Sequence, residues 1–192
     1  MDTISFTKVD LPYGWLGNMS PHIVKYDGQW YKTTESLFQC MRFKDYPEVQ
    51  EEIRNQKSPM SAKMVAKKHK HLISGKTTKI VEETNDLIRM RECLLLKLKH
   101  HPDLIRRLLG TGESVLIEDC SKRRGGTGLI WGMAKEPDGT WVGRNELGKL
   151  WMSIREELRD SKTINQEQAG DVSSPVKPII TYIKEANYHG NI

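Results

Sequence analysis

The stretch Thr33-Thr34-Glu35-Ser36-Leu37-Phe38-Gln39-Cys40-Met41-Arg42-Phe43 has the residue types and spacing best suited to chemistry. It reads as a helix opened by a threonine able to cap free backbone N–H groups. Leu37, Phe38 and Met41 fall on one side, and Glu35, Gln39 and Arg42 (i, i+4, i+7) form a polar stripe beside them. A first-turn carboxylate is favoured by the helix dipole and unpaired N–H groups, which is reason enough for many glutamates to sit there. One that instead faces a cleft can stabilise a developing cation or activate water.

Two further stretches compete with it. The loop 122–128, Lys-Arg-Arg-Gly-Gly-Thr-Gly, combines cations with glycines whose backbone N–H groups can approach phosphate oxygens. Its spacing matches neither GxxxxGK[ST] nor GxGxxG, and a solvated surface hairpin has the same composition. Trp131-Gly132, followed by Gly143-Arg144-Asn145, offers an indole as a flat stacking surface, although tryptophans also fill cores. His69/His71 and His100/His101 have no partners at a metal-ligand spacing. Cys40, Cys93 and Cys120 support neither a disulfide frame nor a CxxC site, and there is no GxSxG.

The elements that must position these residues follow the hydrophobic pattern. Residues 4–6 read as a short strand, and 13–20 as a glycine-punctuated loop that either wraps a ligand or turns a corner. Asp27-Gly28 between 22–26 and 29–31 predicts a two-residue hairpin turn leading into the Glu35 helix. Ser58-Pro59 opens a helix through Lys70 whose Lys63, Lys67, Lys68 and Lys70 form a basic face, the usual makeup of a solvated surface. A long helix over 80–98 carries Leu87, Met90, Leu94 and Leu98 as its core stripe. Another starts at Pro102, turns Leu104, Ile105 and Leu108 inward and stops near Gly110. Strands are expected at 115–118 and 129–133. Asn145 is placed to cap a last helix with Leu147, Leu150, Trp151, Ile154 and Leu158 on its inner face. Residues 161–177 read as a polar linker, and 179–183 as a segment able to pair with a sheet edge or a partner.

These elements give an α+β domain over 1–160 with a linker and tail over 161–192. With 192 residues the chain is long enough for one sizeable core. A mean hydropathy of −0.60 and the lack of a run near the roughly 20 apolar residues of a membrane span predict a cytoplasmic protein with no membrane partner. The net charge of +5 and pI near 9.0 suit a phosphate-bearing partner, polymer or small molecule.

Taken in order, several blocks resemble the YbiA-like, or NADAR, family. They are residues 4–6, 14–19 and the Asp27-Gly28 turn, then Tyr31, Thr33, Glu35, Phe38, Gln39 and Phe43, then Ser58-Pro59-Met60 with Ala62. Met90-Arg91, Lys97, His101, Leu104, 108–111, 116–118, Trp131-Gly132 and 143–145 with Leu147-Gly148 complete the match over about residues 4–158. The resemblance implies a compact α+β domain, several helices on a small mixed sheet, that hydrolyses N-glycosidic bonds. The implied substrates are ribosylamino phosphate intermediates of the riboflavin pathway, or ADP-ribose on guanine, including ADP-ribosylated DNA. Glu35 matches the family's active-site glutamate, and Trp131, Gly132 and Asn145 its pocket residues. The family usually has an aspartate three residues before Trp-Gly, where this chain has Gly128; Glu118 or Asp119 would have to substitute.

The acids in view are therefore Glu35, Glu118 and Asp119. The ligand-binding set is Gly14, Trp15, Asn18, Gln39, Lys63, Arg124, Trp131, Gly132 and Asn145, with Trp131 or Trp15 stacking on a base and the basic residues holding a diphosphate. No metal or other cofactor is expected, because a carboxylate answers a cation-like transition state. The alternatives are a relative that binds ADP-ribose-like ligands and turns them over poorly, for which Gly128 speaks, and a nucleic-acid-binding protein, for which the Arg-Arg-Gly-Gly loop speaks.

Overall fold

The structure, a computed structural model, describes residues 2–168, so the expected segment at 179–183 lies outside the described residues. β1 (Thr3–Phe6) pairs in parallel with β4 (Val115–Glu118), setting Phe6 opposite Glu118. β2 (Val24–Tyr26) and β3 (Gln29–Tyr31) form the expected hairpin, with Asp27 and Gly28 at φ 47° and 73°, the positive pair a tight turn demands. β5 (Met133–Lys135) and β6 (Trp141–Gly143) form another hairpin, joined to the end of β4 by a bridge between Asp119 and Met133. The sheet structure among the described residues is thus three two-stranded pieces, and helices supply most of the framework.

The expected helices form where local signals place them. α1 (Thr34–Met41) starts at Thr33, whose hydroxyl accepts from the Ser36 N–H. α2 (Pro47–Arg54) and α3 (Pro59–Lys68) each begin with proline, and Ser58 and Ser61 close a capping box on α3. α4 (Lys79–His100) buries Met90, Leu94 and Leu98 but leaves Leu87 half-buried. α5 (Asp103–Leu109) follows, with Leu104 and Leu108 in the core. α1, the helix bearing Glu35, packs against α2, α3 and α4.

Three expectations need correction. Residues 129–133 are not one strand: α6 (Gly128–Trp131) is a single helical turn, and β5 starts only at Met133. A short apolar run fixes neither period, and here the Ile130 and Trp131 amides both donate to the Thr127 carbonyl. α7 (Glu146–Gln168) continues as helix past the expected linker start at residue 161. Asn145 precedes α7, but its carboxamide bonds to β4: Nδ2 donates to the Leu116 carbonyl at 2.8 Å and Oδ1 accepts from the Glu118 amide at 3.2 Å.

The core runs from Phe6 and Leu16 through Leu37 and Phe43 to Trp151, the largest fully buried side chain. Among the described residues no helix is long and apolar enough to cross a membrane.

Candidate active site

Glu35 lies in the first turn of α1 with only 6% of its surface exposed. A buried carboxylate needs partners, and Gln39, one turn along, donates from Nε2 to Oε1 at 2.9 Å. Arg42 leaves the stripe. Its Nη2 donates to Glu82 at 3.1 Å, and its Nε lies 3.3 Å from Asp86 as an ion pair without hydrogen-bond alignment. The backbone at Glu35 is fixed from outside the helix: its N–H and the Thr34 hydroxyl both donate to the Asn18 carbonyl at 3.0 Å.

Glu118 closes β4 and is the second candidate acid. Burial pushes its carboxyl above the usual glutamate range; Arg123 pulls the other way, Glu35 adds to the rise, and Lys63 opposes it. Arg123 approaches it as an ion pair at 3.6 Å. Glu35 and Lys63 are therefore close enough for their charges to bear on Glu118. The charges that bear on Glu118 thus come from α1, α3 and the basic loop.

Gly132 and Asn145 hold Glu118 by its main chain. A Cβ on Gly132 would stand 2.3 Å from the Glu118 carbonyl oxygen, so only glycine lets the strands approach this closely. The Asn145 bond to the Glu118 amide fixes the peptide on the N-terminal side of the same residue. Asn145 adopts φ 54°, a left-handed conformation that asparagine tolerates better than most residues.

The other sequence candidates separate. Asp119 locks a turn, its Oδ1 accepting from the Ser121 amide at 2.8 Å and the Ser121 hydroxyl at 2.5 Å. Gly128 packs under the loop: a Cβ there would lie 2.1 Å from the Arg123 carbonyl, which leaves no room for an aspartate in this backbone. Arg124 is tied to the β5 hairpin through Glu136 at 2.8 Å and the Lys135 carbonyl at 3.0 Å. Trp15 belongs to the core. It is 4% exposed, meets Trp151 edge-on and has the Arg107 guanidinium 4.9 Å over its ring, so it has no free face for a base. Gly14 is buried where a Cβ would meet the Lys8 carbonyl at 2.3 Å, and Asn18 donates to the Met90 sulfur at 2.8 Å. Both shape the loop over the start of α1.

Trp131 meets Phe38 edge-to-face at 5.6 Å and forms part of the wall of a cavity of about 340 Å³. Ile130 and Leu87 extend its apolar lining; Arg42, Lys70, Lys79 and Arg144 bring positive charge, and Glu82, Glu83 and Asp86 negative charge. Glu35 and Glu118 are not in these walls. Arg42, at the C-terminal end of α1 two turns beyond Glu35, is the lining residue that α1 contributes. Arg123 is the member of the cluster that sequence reasoning left out of the site; its position beside two other basic residues gave no way to single it out. Among the described residues no group of three or more His, Cys, Asp and Glu side chains could hold a metal ion.

Comparison with known proteins identifies the family and the fold. The NADAR domain model matches residues 5–159. N-glycosidase Npun_R5314 of Nostoc punctiforme is 30% identical over 82% of this chain and 94% of its own length. N-glycosidase YbiA of Escherichia coli is 30% identical over 83% of this chain and 90% of its own. The NMR structure of E. coli YbiA superposes with a TM-score of 0.66 over 84% of this chain and 88% of that one. The polar cluster at the start of α1 thus lies within the matched region, and this chain belongs to the NADAR domain family.

Proposed function

We propose that this protein hydrolyses the N-glycosidic bond of phosphorylated ribosides, and that its substrate is ADP-ribose attached to guanine, free or in DNA. The observation that carries the reading is the pair of acids at the buried cluster, Glu35 held by Gln39 and Glu118 pushed toward its protonated form. Cleavage of a glycosidic C–N bond builds positive charge on the anomeric carbon while the leaving base needs a proton. Glu35, at the positive end of α1, stabilises that cation and orients water; Glu118 delivers the proton to the departing nitrogen. The bond to the base breaks, the water oxygen bonds to the anomeric carbon, and its released proton passes to Glu35. Glu118 takes the part of the acid that Gly128 lacks, since Asp119 is engaged by Ser121.

The substrate class is supported by the cations around the cluster and the cavity. Lys63 and Arg123 bear on Glu118, and Lys70, Lys79 and Arg144 line the cavity beside Trp131, which suits a diphosphate and a planar base. Incubation with ADP-ribosylated guanosine and with ADP-ribosylated DNA, each with and without EDTA, tests the reading. Release of ADP-ribose is expected in every arm, and its absence in all of them rejects the activity. Tight calorimetric binding of ADP-ribose without turnover would instead support a binding protein, the reading that Gly128 favours.

A further inference from the structure

We infer that Lys97 is a positioning residue for Glu35: from within the core it fixes the loop 14–20, which in turn holds the first turn of α1. This rests on the reading of Glu35 as the reacting carboxylate. Lys97 is fully buried on α4, in the apolar run Leu94-Leu95-Leu96-Lys97-Leu98. Its ammonium donates to the Trp15 carbonyl, to the Gly17 carbonyl at 3.0 Å and to the Ser20 hydroxyl at 2.6 Å, so all three protons have acceptors. The Trp151 indole N–H donates to the Leu16 carbonyl at 2.8 Å, which leaves three successive loop carbonyls pinned from the core.

The next residue, Asn18, completes the relay. Its side chain donates to Met90, seven residues before Lys97 and on the same face of α4, while its carbonyl receives the Glu35 amide and the Thr34 hydroxyl. α4 therefore holds the loop at two points that flank the acceptor of the Glu35 amide. Burial pulls the Lys97 ammonium from its usual 10.5 down to about 7, a penalty that a leucine or methionine would avoid. Neither of those could gather three oxygens onto one atom.

The test compares wild type with Lys97→Met in the intact chain by amide hydrogen exchange and steady-state kinetics. Exchange at the Glu35 amide is expected to rise about tenfold relative to the Asp119 and Cys120 amides, which bond to Phe6 and Met133 outside the relay. In parallel kcat should fall about 10²-fold with KM changed less than about threefold, as expected for a misplaced reacting group. An equal rise at all three amides, no rise at Glu35, or an unchanged kcat overturns the proposal. Should Lys97→Met fail to fold, Ser20→Ala removes one acceptor; about a threefold selective rise at Glu35 supports the relay and a uniform one refutes it. A wild type that releases no ADP-ribose defeats the proposed activity, and the exchange comparison still decides the positioning role.

Discussion

Gly132 lies so close under Glu118 that a Cβ would come within 2.3 Å of its carbonyl oxygen and 3.1 Å of its Cβ. The glycine of the Trp-Gly pair therefore sets the placement of Glu118. Gly132→Ala must push β4 or β5 aside, at about 1–3 kcal/mol of stability by analogy with overpacked cores. The measurable outcome is a lowered Tm, together with a fall in kcat larger than the fraction unfolded explains.

Asn145 holds the preceding peptide of β4, through the Glu118 amide. Asn145→Ala removes the bonds to the Glu118 amide and the Leu116 carbonyl and keeps a strained φ of 54° without the asparagine side chain. A loss of about 2–4 kcal/mol follows from one buried and one part-buried group left without these partners. Asn145→Gly loses the same bonds but relieves the φ, so denaturant titration should find it about 1 kcal/mol more stable than the alanine variant.

As the proposed proton donor, Glu118 is expected to make stability and activity depend on pH in the same direction. Burial raises its folded pKa above the unfolded value, so between the two values the native state binds more protons than the unfolded state. Stability from this group is lost as pH rises from the ordinary glutamate range through the raised value. Glu118→Gln should raise Tm relative to wild type above that window and leave the difference small below it. Its kcat should fall about 10²–10⁴-fold if the carboxyl is the proton donor. Arg123→Ala removes the larger of the influences that lower the Glu118 pKa, and is expected to shift the alkaline limb of the rate profile to higher pH.

Restoring an acid at position 128 should not help. In Gly128→Asp the new Cβ meets the Arg123 carbonyl at 2.1 Å, so the loop must move and carry Arg123 away from Glu118. A lower Tm and a kcat no higher than wild type are expected; a faster enzyme would mean that Glu118 is not the substitute.

What could be read in the sequence was what short-range chemistry decides. Asp27-Gly28, the Thr33 and Ser58 caps and the Leu94/Leu98 stripe depend on neighbours within a turn or two, and each appears as expected. The Glu35–Gln39 bond is an i, i+4 contact and was legible for the same reason. The run 129–133 had too few residues to show a period, and Gly128 and Thr127 turned its start into helix. The side-chain bonds of Asn145 and the place of Arg123 beside Glu118 come from chain segments far apart in sequence. Trp15 looked like a stacking surface because sequence does not tell a loop tryptophan from one tucked against Trp151. Lys97 was visible as a lysine inside a leucine run, but its three acceptors lie roughly 80 residues earlier and only folding brings them together.

The central claim concerns the charge on Glu35, and Glu35→Gln tests it with least disturbance, because the amide keeps the shape and can still bond to Gln39. Steady-state release of ADP-ribose from ADP-ribosylated guanosine by this variant should show kcat down at least about 10²-fold, with KM and Tm nearly those of wild type. A Glu35→Gln protein that turns the substrate over at the wild-type rate would contradict the account.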